Sequence, residues 1–150
     1  MNTIKVRDIE IGAGAPKIIV PIVGVTKDDI IAEAKTFDSI PVDMVEWRVD
    51  WFENVFEFDK VEEVLKELRD ALGNIPILMT FRTSKEGGEK AIEPEAYARL
   101  NIQAAQTGYV DFVDVEIFTG DEIVKKIING VHAAGARVIA SNHDFFKTPA

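Results

Sequence analysis

Apolar and polar positions along this chain follow two rhythms in turn. Ile4 and Val6, then Ile9 and Ile11, alternate with polar neighbours around Arg7-Asp8, which predicts a short N-terminal β-hairpin within residues 1–14. Ile18 to Gly24 is a nearly continuous apolar run, as expected of a strand buried on both faces. Thr26 then reads as an N-cap, with Asp28 and Asp29 in a first helical turn, where the free N–H groups favour negative charge. Ile30, Ile31, Ala34 and Phe37 continue that helix on one face. The alternation repeats. Val42–Val49 predicts a strand, and Val61, Val64, Leu65, Leu68 and Leu72 predict a helix that stops at Gly73. Ile75–Arg82 is the next strand. Pro94 suits the first position of a helix through Tyr97, Leu100 and Ala104, closed by Gly108. Val110–Phe118 is a strand, Ile123, Val124, Ile127, Ile128 and Val131 form a helical stripe ended by Gly135, and Ala136–Asn142 is the last strand.

Strands that alternate strictly with helices pair in parallel through right-handed crossovers. The strands begin near residues 18, 43, 75, 110 and 136, so each unit has the length of a βαβ repeat. Two α/β folds compete: an open flavodoxin-like sheet, and the first five units of a (β/α)8 barrel of the TIM type. Strand chemistry separates them. Period 2 puts Glu46, Arg48 and Asp50 on one face and Val45, Trp47 and Val49 on the other; Asp114 and Glu116 repeat this between Val113, Val115 and Ile117. An inner strand of an open sheet has helices on both sides and is apolar on both. A barrel interior turns polar towards its C-terminal mouth, so charges late in several strands favour the barrel, here truncated after about five strands.

Composition narrows the partners. With 17 basic and 26 acidic residues the formal charge is −9, which argues against nucleic acid or an anionic membrane as the main partner. At 47% hydrophobic residues and 150 residues in all, one globular domain spanning 1–150 is expected. The chain has no Cys, so disulfides, thiolate catalysis and cysteine-bound zinc are excluded. The longest apolar stretch, Ile18 to Val25, is too short to cross a bilayer, and no signal-peptide core precedes it; a cytoplasmic location is the default expectation.

In a barrel the site is built at the C-terminal strand ends and the loops after them. The polar residues there are Glu46, Arg48 and Asp50; Arg82 and the loop Ser84-Lys85-Glu86-Gly87-Gly88-Glu89; Asp114 and Glu116; and Ser141, Asn142, His143 and Asp144. Each has a plainer reading. The acids and arginines fit a solvent-facing strand with surface ion pairs worth ~0–1 kcal/mol. Gly87-Gly88 reads as a flexible turn and matches neither a phosphate loop nor a dinucleotide fingerprint. His132 falls in a helix, away from the strand ends, and reads as a surface residue. His143 directly follows a strand and is the one obvious proton-transfer group.

Four motifs in order resemble type I 3-dehydroquinate dehydratase: Glu46-Trp47-Arg48-Val49-Asp50, Phe81-Arg82-Thr83-Ser84-Lys85-Glu86-Gly87-Gly88-Glu89, Asp114-Val115-Glu116-Ile117-Phe118-Thr119-Gly120-Asp121, and Ser141-Asn142-His143-Asp144-Phe145. The opening Val6-Arg7-Asp8 and Gly12 to Ile18 are similar too. The resemblance implies a (β/α)8 barrel, a homodimer, and neither metal nor organic cofactor. It implies dehydration of 3-dehydroquinate to 3-dehydroshikimate in the shikimate pathway, through a Schiff base between a lysine and the substrate ketone. His143 then matches the general acid/base and Glu86 the group that orients it. Glu46, Arg48 and Arg82 match substrate-binding positions, and Asp114 and Asp50 stand behind them.

The sequence also departs from the family pattern. The Schiff-base lysine of the family lies on the strand after the one that precedes His143, beyond residue 150, so the chain alone is expected to be weakly active or inactive. Lys85 and Lys147 flank the expected mouth but read as loop lysines. Pro21 stands where many members carry a substrate-contacting serine, and it removes a ladder donor from its strand. Open strand edges predict marginal stability or self-association. Two other functions are weighed: a metal-dependent barrel enzyme using Glu46, Asp50, Asp114, Glu116 and His143 as ligands, and a non-catalytic flavodoxin-like binding domain.

Overall fold

The computed structural model describes residues 2–148; Met1, Pro149 and Ala150, read above as part of the chain, lie outside the described residues. Two strands, β1 (Ile4–Val6) and β2 (Ile9–Ile11), form the expected antiparallel hairpin. Arg7 turns it in the left-handed region, at φ 49°. Five parallel strands follow: β3 (Ile19–Ile22), β4 (Met44–Arg48), β5 (Ile77–Thr80), β6 (Phe112–Glu116) and β7 (Arg137–Ser141). Helices α1 (Lys27–Thr36), α2 (Phe58–Leu72), α3 (Pro94–Gln106) and α4 (Asp121–Ala133) connect them. The sheet order is β3-β4-β5-β6-β7, the chain order itself. An open doubly wound sheet reverses direction at a switch point. A barrel wall does not, and the sheet here has the barrel's order.

Local chemistry sets the element ends. The Thr26 side chain accepts from the Asp29 N–H at 3.2 Å, the N-cap predicted for α1. Pro94 opens α3, and Gly73 follows α2 with φ 55°. The strands are shorter than the apolar runs that announced them. β4 ends at Arg48 because Val49–Trp51 turns into a 3-10 helix, and β5 ends at Thr80 rather than Arg82. Pro21 lies on β3, an edge strand bonded on one side, where a sheet tolerates a missing N–H.

The two faces of the sheet carry different cores. Val45, Trp47 and Val49, then Ile77, Met79 and Phe81, then Val113 and Val115 pack outward against Val61, Leu65, Leu68, Tyr97, Ala104 and Ile127 of the helices. On the other face Met44, Leu78 and Phe112 meet Val6, Ile9 and Ile11 of the hairpin, with Ile139 beside them. The hairpin thus covers the N-terminal end of the interior. Asp111 fastens it: the carboxylate pairs with Arg7 of the hairpin at 2.7 Å and Arg69 of α2 at 2.9 Å, and accepts the Ile77 N–H at 2.9 Å. Burial, opposed by Asp111, lowers the Arg69 guanidinium below its ordinary value. Among the described residues no helix is long and apolar enough to cross a membrane.

Candidate active site

Above the apolar layer, period 2 brings polar side chains to the same inner face: Glu46 and Arg48 from β4, Thr80 and then Arg82 from β5, Asp114 and Glu116 from β6, and Ser141 from β7. Arg82 is at their centre and is buried. Its Nη1 donates to Glu116 Oε2 at 2.8 Å and to Ser141 Oγ at 3.0 Å, and its Nη2 pairs with Asp114 Oδ1 at 3.0 Å. Ser141 Oγ in turn donates to Asp114 Oδ1 at 2.7 Å. Burial by itself would pull the Arg82 guanidinium down, but Asp114 and Glu116 outweigh it and hold the group above its ordinary value. The arginine is thus a fixed cation with its neutralising acids built in.

Arg48 and Asp50 form a second unit. Nε and Nη2 of Arg48 both reach the Asp50 carboxylate at 2.9 Å, the two-pronged geometry that holds a guanidinium most firmly. That hydrogen-bonded pairing, with Glu46 adding at longer range, raises Arg48 above its ordinary value. Asp50, fully buried, also accepts the Arg82 N–H at 3.2 Å and the Glu89 N–H at 3.1 Å. It therefore joins the end of β4 to the loop after β5. Lys90 closes the same junction, donating to the carbonyls of Asp50 and Phe52 at 2.6 and 3.0 Å.

The loop after β5 presents Glu86 on a short 3-10 turn, Ser84–Glu86. Its frame is backbone: Glu86 N–H and Gly88 N–H donate to the Thr83 carbonyl at 3.0 and 2.8 Å, and Ser84 N–H donates to Lys90 at 2.9 Å. Gly88 approaches the Arg82 carbonyl so closely that a Cβ there would lie 1.8 Å from the oxygen. The pair Gly87-Gly88, expected to be a flexible turn, is a tightly packed one. Glu86 Oε2 accepts both the backbone N–H and the Nδ1 side of His143, at 3.1 and 3.0 Å. Past His143, Asp144 Oδ1 accepts the Phe146 and Lys147 N–H groups, and the Phe145 ring packs on Gly87. The His143 ring is 41% exposed, which leaves its far nitrogen open to a reactant.

The structure links Arg48–Asp50–Arg82–(Asp114, Glu116)–Glu86–His143 at this mouth, with Glu46 on the same inner face but outside that chain of contacts. The five groups proposed as metal ligands do not converge on one point, because Asp50 is engaged by Arg48, and Asp114 and Glu116 by Arg82. His132 is on an exposed helix face, as expected. Sequence reading missed three contributors. Thr83 donates to Glu116 from both N–H and Oγ1, at 3.0 and 2.7 Å. Tyr97, read only as an apolar helix position, places its hydroxyl between the Asp114 carbonyl, to which it donates at 3.2 Å, and the Glu116 N–H, which it accepts at 3.1 Å. Burial pushes its phenol well above the usual tyrosine range. Lys90 is the third; nothing in its spacing signalled a role. Beside the Glu86–His143 pair lies a cleft of about 310 Å³, bounded also by Ile92, Pro94, Tyr97 and Phe118; Glu46 and Arg48 do not line it.

Comparison with known proteins agrees with this fold. Residues 18–150 match the family model for type I 3-dehydroquinase. The chain is 51% identical over 146 residues to 3-dehydroquinate dehydratase of Clostridioides difficile (strain 630), covering 97% of this chain and 57% of that protein. It is 49% identical over 150 residues to the Listeria monocytogenes serotype 4a (strain HCC23) protein of the same name, covering 60% of it. Among solved structures, type I 3-dehydroquinate dehydratase from Clostridium difficile with covalent modified comenic acid superposes with a TM-score of 0.96 at 50% identity, over 99% of this chain and 58% of that one. The Enterococcus faecalis enzyme gives 0.93 at 41% identity, over 98% of this chain and 61% of that one. The chain thus spans about three-fifths of the length of the relatives it matches. On its fold, its ordered motifs and these matches, the chain belongs to the type I 3-dehydroquinase family.

Proposed function

We propose that this chain supplies the proton-transfer side of a 3-dehydroquinate dehydratase, a hydro-lyase that converts 3-dehydroquinate to 3-dehydroshikimate. The observation that carries this reading is the Glu86–His143 pair, held at 3.0 Å at the mouth of a parallel barrel wall. Glu86 accepts from Nδ1–H, which leaves Nε2 as the base, the relation of an orienting acid to its histidine. In the family chemistry a lysine amine adds to the substrate ketone and expels water, giving a protonated imine. Nε2 of His143 takes the proton from the neighbouring carbon, and the C–H electron pair moves into the imine to form an enamine. The enamine then expels the hydroxyl at the next carbon, which leaves as water with the proton returned by His143. Hydrolysis of the imine releases the product and the lysine. The resemblance assigns that lysine to a strand after β7, outside these residues.

The other side chains fit this reading. Arg48 is half-buried and keeps Nη1 free of Asp50, so it can donate to an anionic, hydroxylated substrate. Glu46 stands beside it as an acceptor. Arg82 is engaged by Asp114 and Glu116 and mainly holds the wall on which the substrate rests. Asp50 and Asp114 act through the two arginines. The reading includes a cytoplasmic homodimer and a place in the shikimate pathway.

The test joins this chain to the remaining two-fifths of the Clostridioides difficile relative. The fusion is expected to turn over 3-dehydroquinate, followed by the absorbance of the conjugated product, and to be trapped with substrate by borohydride. His143→Ala should lower turnover by ~10²–10⁴. A folded fusion without turnover, or one indifferent to His143→Ala, overturns the reading.

A further inference from the structure

Arg82 Nη1 stands between two carboxylates, 2.8 Å from Glu116 Oε2 and 3.8 Å from Glu86 Oε2. Glu86 Oε2 is the same oxygen that His143 Nδ1 meets at 3.0 Å. A guanidinium that moved about 1 Å towards Glu86 would share that oxygen and compete with the imidazolium for its charge. Glu116 opposes that move. Thr83 fixes both of its oxygens, through N–H to Oε2 and Oγ1 to Oε1, and its own N–H is held by the Tyr97 hydroxyl. Neither acid is free to drift: side-chain exposure is 3% for Glu116 and 11% for Glu86.

We propose that Glu116 is a positioning residue that withholds Arg82 from Glu86 and thereby keeps His143 a strong enough base to take a proton. The inference rests on the reading of His143 as the proton-transfer group. The charged and titratable groups that line the clefts at His143 are Glu86 and Lys85 on the turn after β5, Glu116 on β6, Tyr97 on α3, and Asp144 and Lys147 on its own segment, with Arg82 behind Glu86 at 3.8 Å. Asp114 holds Arg82 through Nη2, and Glu116 is the carboxylate that grips Nη1, the nitrogen nearest Glu86.

The sequence has two histidines, so ring-proton NMR of this chain gives two titrations, with exposed His132 as internal reference. Glu116→Gln keeps the shape, because its amide oxygen can accept from Arg82 and Thr83 N–H while its NH2 donates to a reversed Thr83 hydroxyl. It is expected to lower the His143 midpoint by ~0.5–1 pH unit and leave His132 unmoved. Glu116→Asp keeps the charge but shortens the reach to Arg82, and is expected to lower His143 as well; it carries the test alone if the Gln variant does not fold. In a Glu86→Gln background both shifts should vanish. An unmoved His143, a shift in Glu116→Gln without one in Glu116→Asp, or a shift that survives Glu86→Gln overturns the proposal. No substrate enters this titration, so its outcome is independent of whether the fusion enzyme turns over 3-dehydroquinate.

Discussion

Arg82 and Tyr97 show how single side chains hold the mouth together. Removing a cation from between two buried acids leaves their charges uncompensated. Arg82→Met is therefore expected to destabilise the fold by about 3–5 kcal/mol, read as a lower urea midpoint at neutral pH. Tyr97 carries a pH signature. Its phenol is neutral when protonated, and burial raises its folded pKa above the unfolded value of ~10. Above that pH the unfolded chain has lost the proton while the folded one keeps it, so stability falls as pH rises. Tyr97→Phe should lose stability at neutral pH, since the Asp114 carbonyl and Glu116 N–H lose their partner, yet show a shallower decline above pH ~10 in matched unfolding curves. The importance of Arg82 was legible in its place late in a strand. That of Tyr97 was not, because a tyrosine on an apolar helix stripe reads as core, and only the end of the β5–β6 ladder at Met79–Val113 creates the vacancy its hydroxyl fills.

Among elements, the loop from Thr83 to Lys90 does most to build the site, since it sets Glu86 against a histidine 57 positions later. Its shape depends on Gly88, whose missing side chain lets the loop fold onto the Arg82 carbonyl. Gly88→Ala would press a carbon against backbone that no rotamer change can clear, and is expected to cost about 1–3 kcal/mol. The loop must then shift, which should loosen the Glu86–His143 contact and lower turnover by the fusion enzyme. Spacing showed that this segment was a turn. It could not show whether the turn was loose or packed, because that depends on the end of β5 lying underneath.

For the whole molecule, the sheet order and the hairpin decide what is covered. Met44, Leu78 and Phe112 would face water at the N-terminal end if the hairpin lifted. Asp111→Ala removes the anchor of both Arg7 and the half-buried Arg69, and is expected to raise binding of an apolar dye before global unfolding. The opposite liability lies along the edges. β3 and β7 each pair on one side, and Ile18, Ile19, Val23 and Val25 are exposed near β3. Concentration-dependent association in sedimentation is expected for this chain, reduced by Ile19→Lys, since a charge on an edge strand opposes edge-to-edge pairing.

The alternation of apolar runs and helical stripes by itself determined the order of the elements, their parallel pairing and the side of each strand that carries charge. Those follow from local periodicity and from the handedness of crossovers, which act over about thirty residues. The choice of partner for each charged group was left to the tertiary structure. Asp50 sits beyond its strand in a turn that aims it at Arg48 and the loop after β5, and Glu116 owes its grip on Arg82 to a threonine and a tyrosine from other units. The contacts of Asp50 with Arg82 and of Glu116 with Thr83 join residues 32 and 33 positions apart, and their geometry exists only once the sheet has curved to bring the strand ends to one opening.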